Sequence, residues 1–255
     1  MLEVYHWEPN AASGRVLICL HEKHLAFAAR YVDLLGFEQH RAEFLRLNST
    51  GEVPVLVHDG TAFTQASYIC EYLEELAAGP PLMPQAARGR WQVRLWQKYV
   101  DDCIAPSVGE LAWQAFGASL LRDRDPREVE QAINAIPARE RRDQWRAAAD
   151  GYGEDVLARA RGRVAAALNK AEADLRLGDW LAGSSYSLAD IAAFSYLNYL
   201  PRLLPGHCSE RTTPRVAAWL RRVAARPAAK AALAMGRQPD PYALAAPGPE
   251  QVRWG

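Results

Sequence analysis

The chain has 255 residues, 49% of them hydrophobic, and its 30 basic side chains are balanced by 30 acidic ones. This length allows one large domain or two smaller ones, and a neutral balance argues against nucleic acid or an anionic membrane as partner. No stretch approaches the roughly 20 apolar residues that span a bilayer, and the first residues lack the basic start of a signal peptide. We therefore expect a cytoplasmic protein.

The cysteines and histidines do not form a metal-binding pattern. The cysteines are far apart in the sequence: Cys19, Cys70, Cys103 and Cys208. Most of them lie in apolar helical patterns, where a buried thiol acts as a small hydrophobic side chain. His21 and His24 have no cysteine or carboxylate partner at zinc-like spacing. We expect no metal site.

The N-terminal part alternates between strand and helix patterns. Residues 2–6 and 25–32 predict strands, and residues 38–47 predict a short amphipathic helix. Between the two strands, Ser13 precedes an apolar periodic run that ends near Lys23. Ser13 is therefore predicted to be the N-cap of the first helix.

The stretch 47–76 predicts a hairpin followed by a helix. Residues 53–57 are apolar and β-branched, 58–61 are typical of a tight turn, and 62–64 return. Apolar residues recur at helical spacing from Gln65 onward. Pro54 cannot donate to a strand ladder, which predicts an edge or a strand start. A cis bond before Pro54 would bring the strand start and the helix start together around a ligand. The whole order, βαβαββα, predicts a thioredoxin-like α/β domain.

A linker and an all-helical part are predicted to follow. Residues 78–84 contain a glycine and three prolines, which is typical of a linker. Predicted helices cover 88–121, short pieces of 122–145, 154–177, 191–200, 213–225 and 227–235. Pro106 is expected to bend or break the first of them, and Ser187 with Asp190 forms a capping pattern before 191–200. The predicted domains are 1–78, a linker 79–87, a helical domain 88–235 and a tail 236–255.

Three motifs resemble the glutathione transferase superfamily. They are Val53-Pro54, the Cys70-Glu71-Tyr72-Leu73 end of the helix from Gln65, and Tyr186-Ser187-Leu188-Ala189-Asp190. The resemblance covers about residues 2–235. It implies a thioredoxin-like N-terminal domain with an all-α C-terminal domain, glutathione as co-substrate and a homodimer. Segments 12–13, 37–40 and 112–117, with Ile136-Pro137 and Trp145-Arg146 after the last of them, further resemble the bacterial β-etherase branch and its fungal relatives.

The resemblance implies that Ser13 stabilises the thiolate of glutathione. An ordinary cysteine thiol has a pKa of about 8.5, and lowering it by about 2 units requires roughly 2.7 kcal/mol. A hydroxyl donor supplies about 1.5–3 kcal/mol and a helix N-terminus about 0.3–1 kcal/mol. The hydroxyl and the helix N-terminus together can supply the free energy needed to lower the thiol pKa, so no general base is required. A plain N-cap is the alternative role of Ser13, and Tyr5 is the rival donor, although core packing fits its place in the strand better.

The resemblance also implies which residues hold glutathione. The backbone of Val53, next to Pro54, pairs with the cysteinyl backbone, and Gln39 and His40 contact the glycine carboxylate or are simply solvated. Gln65 and residue 66 bind the γ-glutamyl end. This chain departs from the family pattern there, because Ala66 lacks the expected hydroxyl, a loss of about 1.5–3 kcal/mol. Backbone N–H groups at this helix start can still hold an anion.

Two further expectations concern Ser67 and a run of arginines. Ser67 lies about 100° further round the helix from position 66, so we do not expect it to replace the missing hydroxyl. Residues 139–142, which include three arginines, are predicted to be a solvated face.

A hydrophobic, aromatic electrophile is expected to bind between the domains. Its predicted lining residues, each of which could instead belong to the core, are Trp96, Tyr99, Trp113, Phe116 and Tyr152. The predicted reaction is attack of the thiolate on an electrophilic carbon with loss of a leaving group, and β-aryl ether cleavage if the β-etherase resemblance holds. The alternatives are a non-catalytic binding or scaffold protein, suggested by Ala66, and a glutathione-dependent isomerase or tailoring enzyme acting on an aromatic compound.

Overall fold

A computed structural model of the protein describes residues 1–76 and 79–237, apart from the side chain of Ser119. The elements of the N-terminal part are β1 (Leu2–His6), α1 (Ala11–Glu22), β2 (Phe27–Tyr31), a 3-10 turn (Glu38–His40), α2 (Ala42–Leu45), β3 (Val55–His58), β4 (Thr61–Phe63) and α3 (Ala66–Glu75). The four-stranded sheet has the order β2-β1-β3-β4. β1 runs parallel to β2 and antiparallel to β3. The predicted thioredoxin-like order is confirmed.

Two local predictions in this part are wrong. α1 begins at Ala11, with Asn10 as its extended N-cap, so Ser13 is the third helical residue and not the cap. The predicted helix 38–47 is interrupted at Arg41, whose extended backbone (φ −72°, ψ 147°) separates the 3-10 turn from α2. The predicted hairpin turn is confirmed, since Asp59 and Gly60 both have positive φ between β3 and β4.

The helical part is a chain of closely spaced helices. They are α4 (Ala87–Tyr99), α5 (Ala105–Ala112), α6 (Ala118–Arg122), α7 (Pro126–Asn134), α8 (Arg139–Asp150), α9 (Glu154–Asp174), α10 (Leu188–Leu197), α11 (Leu200–Leu203), α12 (Pro214–Ala224) and α13 (Pro227–Leu233). Within residues 1–76 and 79–237, no helix combines the length and the hydrophobicity needed to cross a bilayer. Residues 77–78, at the predicted domain boundary, and 238–255 of the predicted tail lie outside the described residues.

Where a bend or break was predicted at Pro106, the helix instead widens into a π-helical turn just before the proline. α4, α5 and α6 follow one another through two π-helical turns, Val100–Ile104 and Trp113–Gly117. Proline lacks an N–H and its ring clashes with the carbonyl four residues earlier. That carbonyl belongs to Asp102, inside the first π-helical turn. The widened turn accommodates Pro106 without ending the helical course.

The apolar face of α4 differs from the prediction. Trp96 and Val100 are buried, whereas Trp91 is 57% and Leu95 47% exposed. The sequence pattern predicts these four side chains and Tyr99 on one side of a helix, but Trp91 and Leu95 do not share the buried environment of Trp96 and Val100, and part of the apolar surface of α4 faces outward.

The two parts of the chain share one core. α1 packs against α3 on one side and against α10 and α13 on the other. α10 is buried along its whole length and begins with the predicted capping box of Ser187 and Asp190. This packing fixes the N-terminal end of α1 next to the helical part, where the cleft described below lies.

Candidate functional site

A cleft lies where the N-terminal sheet domain meets the helical part. Its lining residues are Ala12, Arg15, Asn48, Glu52, Val53, Pro54, Gln65, Ala66, Ser67, Asp101, Ala105 and Tyr196. They come from α1, the loop before β3, the start of α3, the helical course around the first π-helical turn and α10, which carries Tyr196. The Val53–Pro54 bond is cis. Four of the residues implied by the family resemblance therefore line one cleft: Val53, Pro54, Gln65 and Ala66.

The start of α3 points its backbone donors at this cleft. Gln65 precedes the helix with a left-handed φ of 67° and makes no side-chain cap. The first N–H groups of an α-helix have no intrahelical partner, and the helix dipole makes this end positive. Since Ala66 and Ser67 line the cleft, the site offers backbone donors to a carboxylate.

A buried arginine joins three walls of the cleft. Arg15 is 2% exposed, and its Nη2 donates to Ser67 Oγ at 2.6 Å while its Nη1 donates to Asp101. Ser67 Oγ in turn donates to Asp101 Oδ2 at 2.5 Å. Burial alone lowers the pKa of Arg15, but the neighbouring Asp101 carboxylate leaves that pKa raised. Ser67 therefore lies in the lining of the cleft with its hydroxyl held by Arg15 and Asp101.

Sequence reasoning missed Arg15 and Asp101. The signal for Arg15 is a charged residue inside the apolar run of α1, since an arginine is almost never fully buried unless it is paired. Asp101 carries no comparable local signal, because its partner is 86 residues away in the chain.

Ser13 lies beside the cleft and is not among its lining residues. Its side chain is 3% exposed, and its Oγ accepts the backbone N–H of Trp7 at 3.0 Å. A serine hydroxyl has one proton and two acceptor lone pairs, so this bond orients the oxygen and leaves the proton available for donation. Tyr5, the rival donor, packs edge-on against Phe44 with ring centroids 6.2 Å apart, as expected for core packing.

Gln39 and His40 also lie outside the cleft lining. Gln39 is fully buried, and its Nε2 donates to the carbonyl of Leu34 at 3.2 Å. The His40 ring lies against Gly51, where an added Cβ would come within 2.7 Å of Nδ1. Gln39 thus contacts its own N-terminal neighbourhood, and His40 packs against the loop that carries Glu52.

The five aromatic candidates fall into two groups. Trp96 and Trp113 are 3% and 1% exposed, and their indole N–H groups donate to Asp174 and to the carbonyl of Ala148. These two belong to the core, and the reason is that each indole finds its hydrogen-bond partner inside the helical part. The other three, Tyr99, Phe116 and Tyr152, are partly buried. None of the five lines the cleft.

The similarity to known proteins covers nearly the whole chain. Residues 4–81 match the glutathione S-transferase N-terminal domain, and residues 132–227 match the C-terminal domain. Protein LigF of Sphingobium sp. strain SYK-6 is 35% identical over 94% of this chain and 95% of its own length. Glutathione S-transferase F10 of Arabidopsis thaliana is 26% identical over 86% and 91%.

The chain is also similar to solved structures over most of its length. The crystal structure of β-etherase LigF from Sphingobium superposes with a TM-score of 0.87 at 34% identity, covering 91% of this chain and 98% of that one. Glutathione transferase F7 of Populus trichocarpa gives a TM-score of 0.71 at 25% identity, with coverages of 91% and 97%.

Proposed function

Because this chain belongs to the glutathione transferase family, whose members use glutathione as co-substrate, we propose that it transfers the glutathione thiolate to an electrophilic carbon. The observation that carries the proposal is the cleft in which Val53 and Pro54, the start of α3 and the first turns of α1 face one another. The electrophile would bind on the side of the helical part.

We place glutathione in this cleft with its γ-glutamyl end at α3. The backbone of Val53 pairs with the cysteinyl backbone, and the free N–H groups around Ala66 hold the γ-glutamyl carboxylate. Ser67 does not supply the hydroxyl that Ala66 lacks, because its one proton is donated to Asp101. The carboxylate of Asp101 attracts the ammonium group, and the backbone N–H groups at the start of α3 are the donors to the γ-glutamyl carboxylate.

The thiolate is stabilised by Ser13 and by the N-terminal end of α1. The hydroxyl oxygen is oriented by Trp7, and its proton points to the sulfur anion. A charged hydrogen bond of this kind is worth about 1.5–3 kcal/mol, which corresponds to lowering the thiol pKa by about 1–2 units. The thiol proton leaves to solvent before the sulfur attacks.

The substrate class follows from the relative named β-etherase. We propose that the electrophile is an aryl ether in which the attacked carbon lies next to a ketone. The C–S bond forms as the C–O bond breaks, and the leaving group is a phenolate that takes up a proton from water. Tyr99, Phe116 and Tyr152, the aromatic candidates that are not fully buried, are the proposed contacts for the aromatic rings.

We also propose a homodimer. Tyr68 on α3 and Trp91 and Leu95 on α4 are 73%, 57% and 47% exposed, and an ion pair between Arg94 and Glu71 links the two helices. Large exposed apolar side chains on neighbouring helices are typical of a protein interface. A second copy of this chain is the occupant we propose.

The test uses an aryl ether ketone that releases a fluorescent phenol. We expect glutathione-dependent phenol release, and Ser13→Ala should raise the pKa of bound glutathione by about 1–2 units and slow the reaction at neutral pH about tenfold or more. Ser184→Ala, which removes an exposed hydroxyl that does not line the cleft, is the matched control. An unchanged pKa and rate would remove Ser13 from the mechanism. Glutathione binding without phenol release would point to another electrophile, and no binding at millimolar glutathione would favour the non-catalytic alternative.

A further inference from the structure

An ion pair behind the cleft connects it to the helices α6–α8. Arg141 on α8 is 6% exposed, and its Nη2 donates to Glu52 Oε1 at 2.9 Å and to the carbonyl of Thr50 at 3.5 Å. The other oxygen of Glu52 accepts from Gln65 Nε2 at 3.3 Å. One carboxylate in the cleft wall thus receives donors from α8 and from the residue before α3. The prediction that residues 139–142 form a solvated face is wrong at Arg141, although Arg139 is 87% exposed.

α8 is held in this place by apolar contacts. The ring of Trp145 lies 4.7 Å from that of Phe37, which precedes the 3-10 turn in the N-terminal part. Trp145 also contacts Trp113 edge-on at 5.8 Å, and these side chains belong to a core cluster of their own together with residues of α6 and α7. Arg141 therefore approaches Glu52 from a packed helix and not from a loop.

We propose that Arg141 is a positioning residue for glutathione binding, because it neutralises Glu52 and fixes the loop that leads into Val53 and Pro54. This inference rests on the proposed function. Glutathione brings two carboxylates and one ammonium group, so a site for it must not carry excess negative charge. Arg15 balances Asp101, and Arg141 balances Glu52. Without Arg141, the Glu52 carboxylate in the wall of the cleft would lose this cation and would repel the carboxylates of the peptide more strongly.

Arg141 could act through the charge of Glu52 or by bracing α8, and a double variant distinguishes these two roles. If Arg141 acts through the charge of Glu52, removal of that charge should compensate for loss of the arginine. If Arg141 only braces α8 against the N-terminal part, removal of the Glu52 charge should not compensate. The effect should also fall on the affinity for glutathione and the KM for glutathione, and not on kcat at saturating glutathione, since neither residue contacts the sulfur in the proposed site.

The experiment measures glutathione affinity by calorimetry, together with KM, kcat and the melting temperature. Arg141→Gln is expected to weaken glutathione binding about tenfold, and Arg141→Lys to retain most of the affinity because it retains the cation. The double variant Arg141→Gln/Glu52→Gln is expected to recover most of what Arg141→Gln loses. Arg139→Gln is the matched control, since it makes the same change at an exposed position of the same helix.

Each outcome decides between the alternatives. Recovery in the double variant supports the proposal, and equal weakness of the double variant and Arg141→Gln overturns it in favour of a structural role. Unchanged binding by Arg141→Gln overturns it directly while the proposed function stands. Absence of glutathione binding in the unsubstituted protein overturns both. Melting temperatures identify a variant that fails to fold. If Arg141→Gln fails to fold, the glutathione affinity of Arg141→Lys is compared with that of the unsubstituted protein instead.

Discussion

Asp190 is the residue on which the polar groups of the helical core converge. Its Oδ1 accepts the N–H of Leu181 and the indole N–H of Trp219, and its Oδ2 accepts the N–H and hydroxyl of Ser187. Burial raises the pKa of Asp190 from 3.8 to about 6, and these hydrogen bonds offset only part of that rise. Between pH 4 and 6 the folded protein thus keeps a proton that the unfolded chain has lost, so this group's contribution to stability falls as pH rises.

Asp190→Asn should therefore destabilise the protein by an amount that depends on pH. The amide nitrogen cannot accept the hydrogen bonds made to one carboxylate oxygen, so the variant is less stable at every pH. The free energy of unfolding of the unsubstituted protein falls as Asp190 loses its proton, whereas asparagine does not titrate. The difference in the free energy of unfolding between the two proteins should therefore shrink by about 2–3 kcal/mol between pH 4 and pH 7. Urea unfolding followed by tryptophan fluorescence at each pH measures it, with exposed Asp143→Asn as control. A constant difference across this range would contradict the raised pKa.

The charged residues also show where sequence reasoning reaches its limit. The capping role of Ser187 and Asp190 is local and was predictable from their spacing. Arg15 and Arg141 bind carboxylates 86 and 89 residues away, and no local pattern identifies partners at such distances along the chain. The same limit applies to Ser13, whose acceptor role toward Trp7 depends on the path of the loop between β1 and α1.

At the scale of elements, the helical course α4–α6 combines predictable and unpredictable features. Its extent follows from apolar periodicity, and Pro106 marked the place of an irregularity. The second π-helical turn, Trp113–Gly117, has no proline to announce it. It places Gly117 directly against the Trp113 ring, where an added Cβ would lie 2.2 Å from Cε3. The packing of a fully buried indole therefore requires glycine here.

Gly117→Ala should destabilise the protein. The methyl group forces the Trp113 ring or the helix backbone to move, and overpacking of this kind costs about 1–3 kcal/mol. Gly162→Ala on α9 is the matched control, because its Cβ would meet no atom within 4 Å. That control should stabilise the helix by about 0.5–1 kcal/mol, since alanine is the better helix former. Chemical unfolding of both variants compares them, and a loss of stability in Gly162→Ala or none in Gly117→Ala would count against this account.

At the scale of the whole molecule, the site depends on the contact between the two parts of the chain. α1 belongs to the N-terminal part and packs against α10 and α13 of the helical part. The cleft takes residues from α1, α3 and the loop before β3 on one side and from the helical part on the other. The order of the motifs along the chain was enough to predict this architecture. The face of α4 that carries Trp91 and Leu95 is apolar, and it is exposed in the single chain. A second copy of the chain covering that face would reconcile its apolar character with its exposure.

Trp91→Glu combined with Leu95→Glu should convert a dimer into a monomer. Two new carboxylates in the proposed interface would have to be desolvated, which disfavours association. Light scattering after gel filtration measures the mass, and 28.3 kDa is the mass of one chain. Leu177→Glu is the matched control, because Leu177 is 89% exposed but lies on neither α3 nor α4. If the unsubstituted protein already runs as one chain, or if the double variant stays dimeric, the face formed by Tyr68, Trp91 and Leu95 is not the interface.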